Sequence, residues 1–178
     1  MPVIVNYETG GDSDEPIGDL GGDEYDEAQS FTMPGADSLV DRVAINTRKV
    51  NSVTDAITVR IETSAAGPKP SGTLANASAT TTIAPSNTTY DWVTATFPAS
   101  FNLTASTKYW IVCLIGNQAT NDHYDWFRDV SSGYADGGES TSVNGAAFGN
   151  ESGTQDLYFR VYSPEAIIAG QPNASFFM

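Results

Sequence analysis

The sequence has little of what disulfide-stapled miniproteins, zinc proteins and nucleic-acid binders are built from. Cysteine occurs once, at Cys113, so no internal disulfide is possible and stability has to come from packing. With one cysteine and one histidine, His123, a zinc site lacks its usual ligands. Basic residues are scarce as well: eight Lys and Arg stand against 22 Asp and Glu, a formal net charge of −14. Such a surface repels phosphate backbones and anionic lipid, and no basic stripe is left over, so neither nucleic acid nor a membrane is expected as a partner. No apolar run approaches the ~20 residues that cross a bilayer, and no basic-then-apolar leader opens the chain. The expectation is a soluble product made without a cleaved signal.

What is present is Ser, Thr, Asn and Gly in abundance, with 40% apolar and only 17% charged residues over 178 positions. That length holds one core of ordinary size, and the composition suits an all-β module with many turns. Ile57, Val59 and Ile61 alternate with Thr58, Arg60 and Glu62, the period-2 signature of a strand with one face buried. Leu39 to Thr47, Val93 to Phe97 and Leu157 to Val161 read the same way, with Pro98 ending the second of these. Tyr109 to Ile115 is apolar on both faces and reads as a central strand that carries Cys113 as a small buried hydrophobe. Gly67 to Gly72 holds two prolines and reads as a loop, Leu74 to Ile83 as an edge strand, and Asp122 to Asp129 as a strand or an aromatic loop. Gly133 to Gly153 is a glycine-rich surface excursion of the kind that carries function. About eight strands at these spacings predict a two-sheet antiparallel β-sandwich of jelly-roll type. An immunoglobulin-like sandwich is the alternative, weakened by the missing cysteine pair.

Residues 1–27 hold nine acids, five glycines and no Lys or Arg. They read as an acidic extended N-terminal arm, followed by the sandwich over 28–162 and a C-terminal tail over 163–178. Val3, Ile4, Val5 and Tyr7 have the alternation of a strand that adds to a neighbour's sheet edge. Ile167, Ile168, Phe176 and Phe177 are apolar anchors beyond a flexible spacer.

Six segments in order, Ala28-Gln-Ser-Phe-Thr, the strand with Val43 and Ile45, Pro70-Ser-Gly, Asp91-Trp-Val, Leu103-Thr-Ala-Ser-Thr-Lys-Tyr-Trp-Ile-Val112 and Asp156-Leu-Tyr-Phe-Arg-Val-Tyr162, resemble a family of jelly-roll modules. Those modules occur in bacteriophage virion proteins and in some bacterial surface proteins. The likeness spans residues 28–162. It implies a module that binds or builds, with no catalytic residue to carry over and no enzyme activity.

Sites of chemistry are sparse. A Ser, His and Asp set around His123 has no Gly-x-Ser-x-Gly elbow to support it. Asp122, Asp125 and Asp129 are candidates for a carboxylate dyad, but nothing in the sequence fixes their separation. Asp12, Asp14, Asp19, Asp136 and Glu139 offer oxygen ligands for a structural calcium, yet none stands in the register of a calcium loop, so no metal or other cofactor is expected. Trp92, Trp126, Tyr124 and Tyr134 are candidates for a platform on which sugar rings stack. The functional expectation is a virion structural protein, most specifically a homotrimeric capsid decoration or cement protein. Assembled in the host cytoplasm, it would lie on the outer capsid surface and bridge subunits of the major capsid protein through its arms. A receptor- or carbohydrate-binding module of a tail or fibre is the alternative.

Overall fold

A computed structural model describes residues 2–116, 118–131 and 133–165. Thirteen strands account for the fold: β1 (Val3–Tyr7), β2 (Ser13–Leu20), β3 (Asp23–Thr32), β4 (Ser38–Val50), β5 (Ile57–Ala65), β6 (Lys69–Leu74), β7 (Thr80–Ile83), β8 (Asp91–Leu103), β9 (Lys108–Leu114), β10 (His123–Asp129), β11 (Glu139–Val143), β12 (Asp156–Leu157) and β13 (Phe159–Tyr162). No helix occurs among the described residues. All pairings are antiparallel, in the order β1-β13-β4-β10-β2-β3-β9-β5-β6, with β8 on β4, β7 on β5, β11 on β3 and β12 on β10.

The hydrophobic faces of this sheet meet in one core. Phe31, Ile57, Val59, Ile61 and Ile111 from the β3-β9-β5 half share it with Val43, Ile45, Tyr124, Trp126, Phe159 and Val161 from the β13-β4-β10 half. Phe31 and Phe159 are far apart along the strand order, yet their ring centroids lie 5.9 Å apart. Residues far apart in the strand order thus bury their apolar alternation in a shared core. As predicted, β9 is central and covered on both faces, with Trp110, Ile111, Val112 and Cys113 all inaccessible.

The N-terminal segment differs most from its sequence reading. Residues 3–7 pair with β13 of the same chain, and residues 13–32 form two further strands of the sheet. Two features of the sequence make this possible. Leu20 faces Asp23 across a two-residue turn whose Gly21 and Gly22 have φ of +71° and +97°. A tight hairpin that matches strand twist needs positive φ at both central positions, so these glycines specify a fold where they had suggested disorder. The acids also find cations across the fold, Glu8 with Arg160, Asp14 with Arg48 and Glu15 with Arg128, while Ile17 is buried completely.

Both prolines read as strand breakers are accommodated. Pro70 sits in β6, the last strand of the sheet, where a missing amide breaks no inner ladder. Pro98 lies in a bulge of β8: Arg42 faces Thr96 while Val40 already faces Phe101, so residues 97–100 leave the ladder before it resumes. Residues 74–83 are interrupted by a turn closed by Ala79 N–H donating to Asn76 O at 2.9 Å, and only Thr80–Ile83 is a strand.

Candidate functional site

The glycine-rich excursion covers the outer face of β3 and β9. Its middle pairs as β11 along β3, and Phe148 packs on a small second cluster of Ala28, Trp110 and Val112. The flanks are pinned to the body: Ser30 N–H donates to Gly138 O at 3.0 Å, Gly138 N–H to Ser30 Oγ at 2.9 Å, and Glu151 N–H to Pro68 O at 2.8 Å. A Cβ on Gly137 would lie 2.2 Å from Ser30 O, and one on Gly138 would lie 1.9 Å from Ser152 O. Those two positions must be glycine for the excursion to lie this close.

Between this excursion and the start of β9 lies a cleft of about 400 Å³, lined by Lys108, Tyr134, Ala135, Gly137, Glu151, Ser152 and Gly153. Lys108 Nζ donates to both carboxylate oxygens of Glu151 at 2.7 Å, and the Ser30 hydroxyl donates to Glu151 as well. Tyr134 lies with its ring against Tyr7 and Phe159, at centroid distances of 5.6 and 5.4 Å. Burial pushes its phenol pKa up, against an opposing hydrogen bond from the Thr32 backbone.

Beside the excursion, the fold buries more acid than base. Glu27 is wholly inaccessible; one carboxylate oxygen accepts from Thr141 Oγ1 at 2.9 Å and the other has no partner among the described residues. Burial first, and then Glu139, hold its pKa well above the ordinary carboxylate value. Glu139 is also raised by burial, although Arg128 at 3.2 Å opposes the shift. Asp156 is raised by burial too, against hydrogen bonds from Tyr134 N–H at 3.0 Å and from Gln29.

The catalytic sets weighed from sequence do not assemble. His123 is buried with Nε2 3.2 Å from Asp125 Oδ1 and Nδ1 3.1 Å from Asp19 O. Two ring nitrogens that both face acceptors favour the protonated form, and the hydrogen bond to Asp125 raises the pKa of His123. Asp125 also accepts from Arg48 Nε at 2.7 Å, and these two partners outweigh burial to lower its pKa. Asp122 accepts from Ser52 N–H at 3.0 Å, and Asp129 accepts from Ser131 N–H at 2.8 Å and from the Tyr7 hydroxyl. Each candidate carboxylate is thus committed to holding the fold.

The expected stacking platform is not built either. Trp126 is fully buried, with its indole N–H donating to Tyr158 O at 2.8 Å, and Tyr124 is buried with its hydroxyl donating to Asp55 O at 3.0 Å. Both sit on the same face of β10, which points into the main core, so the rings that looked available are core. Trp92 is half-buried beneath the Arg160 guanidinium, 3.8 Å from the ring centroid, and Arg160 is in turn held by Glu8. Tyr134 alone of the four lines the cleft.

Of the expected partner-binding residues, Val3, Ile4, Val5 and Tyr7 lie in β1, with Tyr7 buried in the core; Ile167, Ile168, Phe176 and Phe177 lie outside the described residues. Among the described residues no three of His, Cys, Asp or Glu converge in a set able to hold a metal ion. The candidate calcium ligands are dispersed: Asp12 accepts from Val130 N–H, Asp14 from Tyr90 and Arg48, Asp19 from Asn121 N–H, and Glu139 from Arg128. Lys108, Glu151 and Ser30 escaped the sequence reading. The one available signal was a lysine entering an otherwise apolar central strand in a chain with so few bases.

Comparison with protein-family models finds no match, and comparison with curated proteins finds no significant relative.

Proposed function

We propose that the chain is a bacteriophage virion structural protein, a jelly-roll β-sandwich that decorates or cements the outer shell. The observation that supports this reading is where the resembling segments lie. Residues 28–32 pair with 108–112, residues 109–112 with 60–63, Val43 and Ile45 with 95 and 93, and residues 159–162 with 42–45. Segments scattered through the sequence thus fall in two ladders of one sheet, β3–β9–β5 and β13–β4–β8, as expected of a module whose pattern is that of its scaffold. Such a module acts mechanically: bridging neighbouring capsid subunits adds interface that must be broken before a shell expands or bursts.

In this reading attachment does not rest on a free N-terminal arm. Residues 1–27 contribute β1, β2 and part of β3, so removing them tests folding and not gripping. The tether falls instead to the apolar tail with Ile167, Ile168, Phe176 and Phe177. The outer edge of β1, which among the described residues pairs with β13 alone, is a second place for a neighbouring capsid subunit or another copy of the chain to add. A chain ending at Glu165 is expected to melt at the same temperature as the full chain and to lose occupancy on purified particles. Equal occupancy of the two forms counts against the reading.

The second reading, a receptor- or carbohydrate-binding module of a tail or fibre, is favoured by the cleft beside Lys108 and Glu151.

A further inference from the structure

We propose that the cleft between the start of β9 and the glycine-rich excursion binds a neutral sugar, held through its hydroxyls rather than by ring stacking. The proposal deepens the second reading above, and it is independent of attachment to a shell.

Charge favours a neutral ligand. Lys108 is the cation of the cleft, and it is already neutralised by Glu151 through two hydrogen bonds of 2.7 Å. An anionic ligand would meet an ammonium already neutralised while approaching a molecule of net charge −14, and a cationic one would lie beside that ammonium. A neutral ligand faces neither obstacle.

Hydrogen-bond capacity favours hydroxyls. An ammonium has three donors, of which Lys108 uses two on Glu151. A carboxylate has about four acceptor positions, and Glu151 Oε2 receives only Lys108. A spare donor therefore sits beside a spare acceptor. Adjacent sugar hydroxyls each donate and accept, so a vicinal diol matches that arrangement without changing the net charge. Tyr134 completes the lining with a ring held in place against Tyr7 and Phe159.

The cleft is also preorganised. Its walls are fixed by main-chain hydrogen bonds from Ser30, Gly138 and Glu151 and by the close packing of Gly137 and Gly138, so a ligand would not have to order a loop on binding. The volume lies within the range of small-molecule sites, which runs from about 300 to 1,000 Å³.

The probe is titration of the full chain with glucose, galactose and mannose, with glucuronic acid as the anionic comparator, read by amide chemical shifts. Saturable shifts confined to residues 108, 134–137 and 151–153 are expected with at least one neutral hexose. Gly153→Trp should weaken them by about tenfold or more. A Cβ at Gly153 meets nothing within 4 Å, so the ring enters open space and the melting temperature should hold. Ala135→Trp, at another exposed lining position, provides a second block if the first disturbs the fold. Glu151→Gln should also weaken binding, by removing the acceptor charge. Three results would each overturn the proposal: no shift with any neutral hexose, shifts that survive both tryptophans, or tighter binding of glucuronic acid. If sugars fail to bind while the full chain still loads particles, this proposal falls and the shell reading stands.

Discussion

Glu27 is a carboxylate enclosed on every side, with Glu139 and Asp26 near it and Thr141 its one hydrogen-bond donor among the described residues. An acid whose folded pKa lies above its ordinary 4.5 binds more protons folded than unfolded between those two values. Its contribution to stability therefore falls as pH climbs from 4.5 through the folded value, and is level beyond. Glu27→Gln removes the charge and keeps the shape, so it is expected to stabilise the protein at neutral pH by about 1–2 kcal/mol and to flatten this limb of a melting-temperature profile. His123 works in the same direction by a different route. Its raised pKa contributes stability that is complete below 6.5 and lost as pH rises through the folded value. The lowered pKa of Asp125 contributes stability that is complete above 3.8 and lost as pH falls through its folded value. The pair is thus fully stabilising between those limits, and His123→Gln should remove the alkaline loss that belongs to it.

Among the elements, the strands with clean alternation or continuous apolar character were legible: β4, β5, β9 and β13 lie where the periodicity put them. What escaped was set by long-range pairing. Nothing local in an acidic glycine-rich stretch announces that Glu8, Asp14 and Glu15 will meet Arg160, Arg48 and Arg128, which lie far along the chain. The stacking platform failed for a related reason, since aromatic residues alternating with aspartates look surface-bound until β10 is inserted between β2 and β4 with its Tyr124 and Trp126 face turned to the core. The cleft was half legible, as a glycine-rich excursion without its charged pair. The one glycine of β2, Gly18, gives a direct test of this region. Gly18 has φ of +121°, and a Cβ there would lie 2.9 Å from Asp122 O, whereas Gly35 has open space and no positive φ. Gly18→Ala should cost about 2 kcal/mol or more in denaturant unfolding and Gly35→Ala close to nothing, a contrast that disappears if residues 13–20 are not in the sheet.

For the whole molecule, the strongest long-range force comes from a net charge of −14 on a compact body with local ion pairs. Self-repulsion of that size opposes the compact state and is screened by salt over about 8 Å at physiological ionic strength. Raising sodium chloride from low to physiological concentration should therefore raise the melting temperature, even though it weakens exposed pairs such as Glu8–Arg160; a fall would mean that those pairs outweigh the repulsion. The same body carries one thiol, enclosed in the central strand with its pKa pushed up by burial. Alkylation of Cys113 has to wait until β9 parts from β3 and β5. The rate at which a maleimide consumes it counts excursions of the native state, giving a built-in clock for how often the heart of the molecule breathes open.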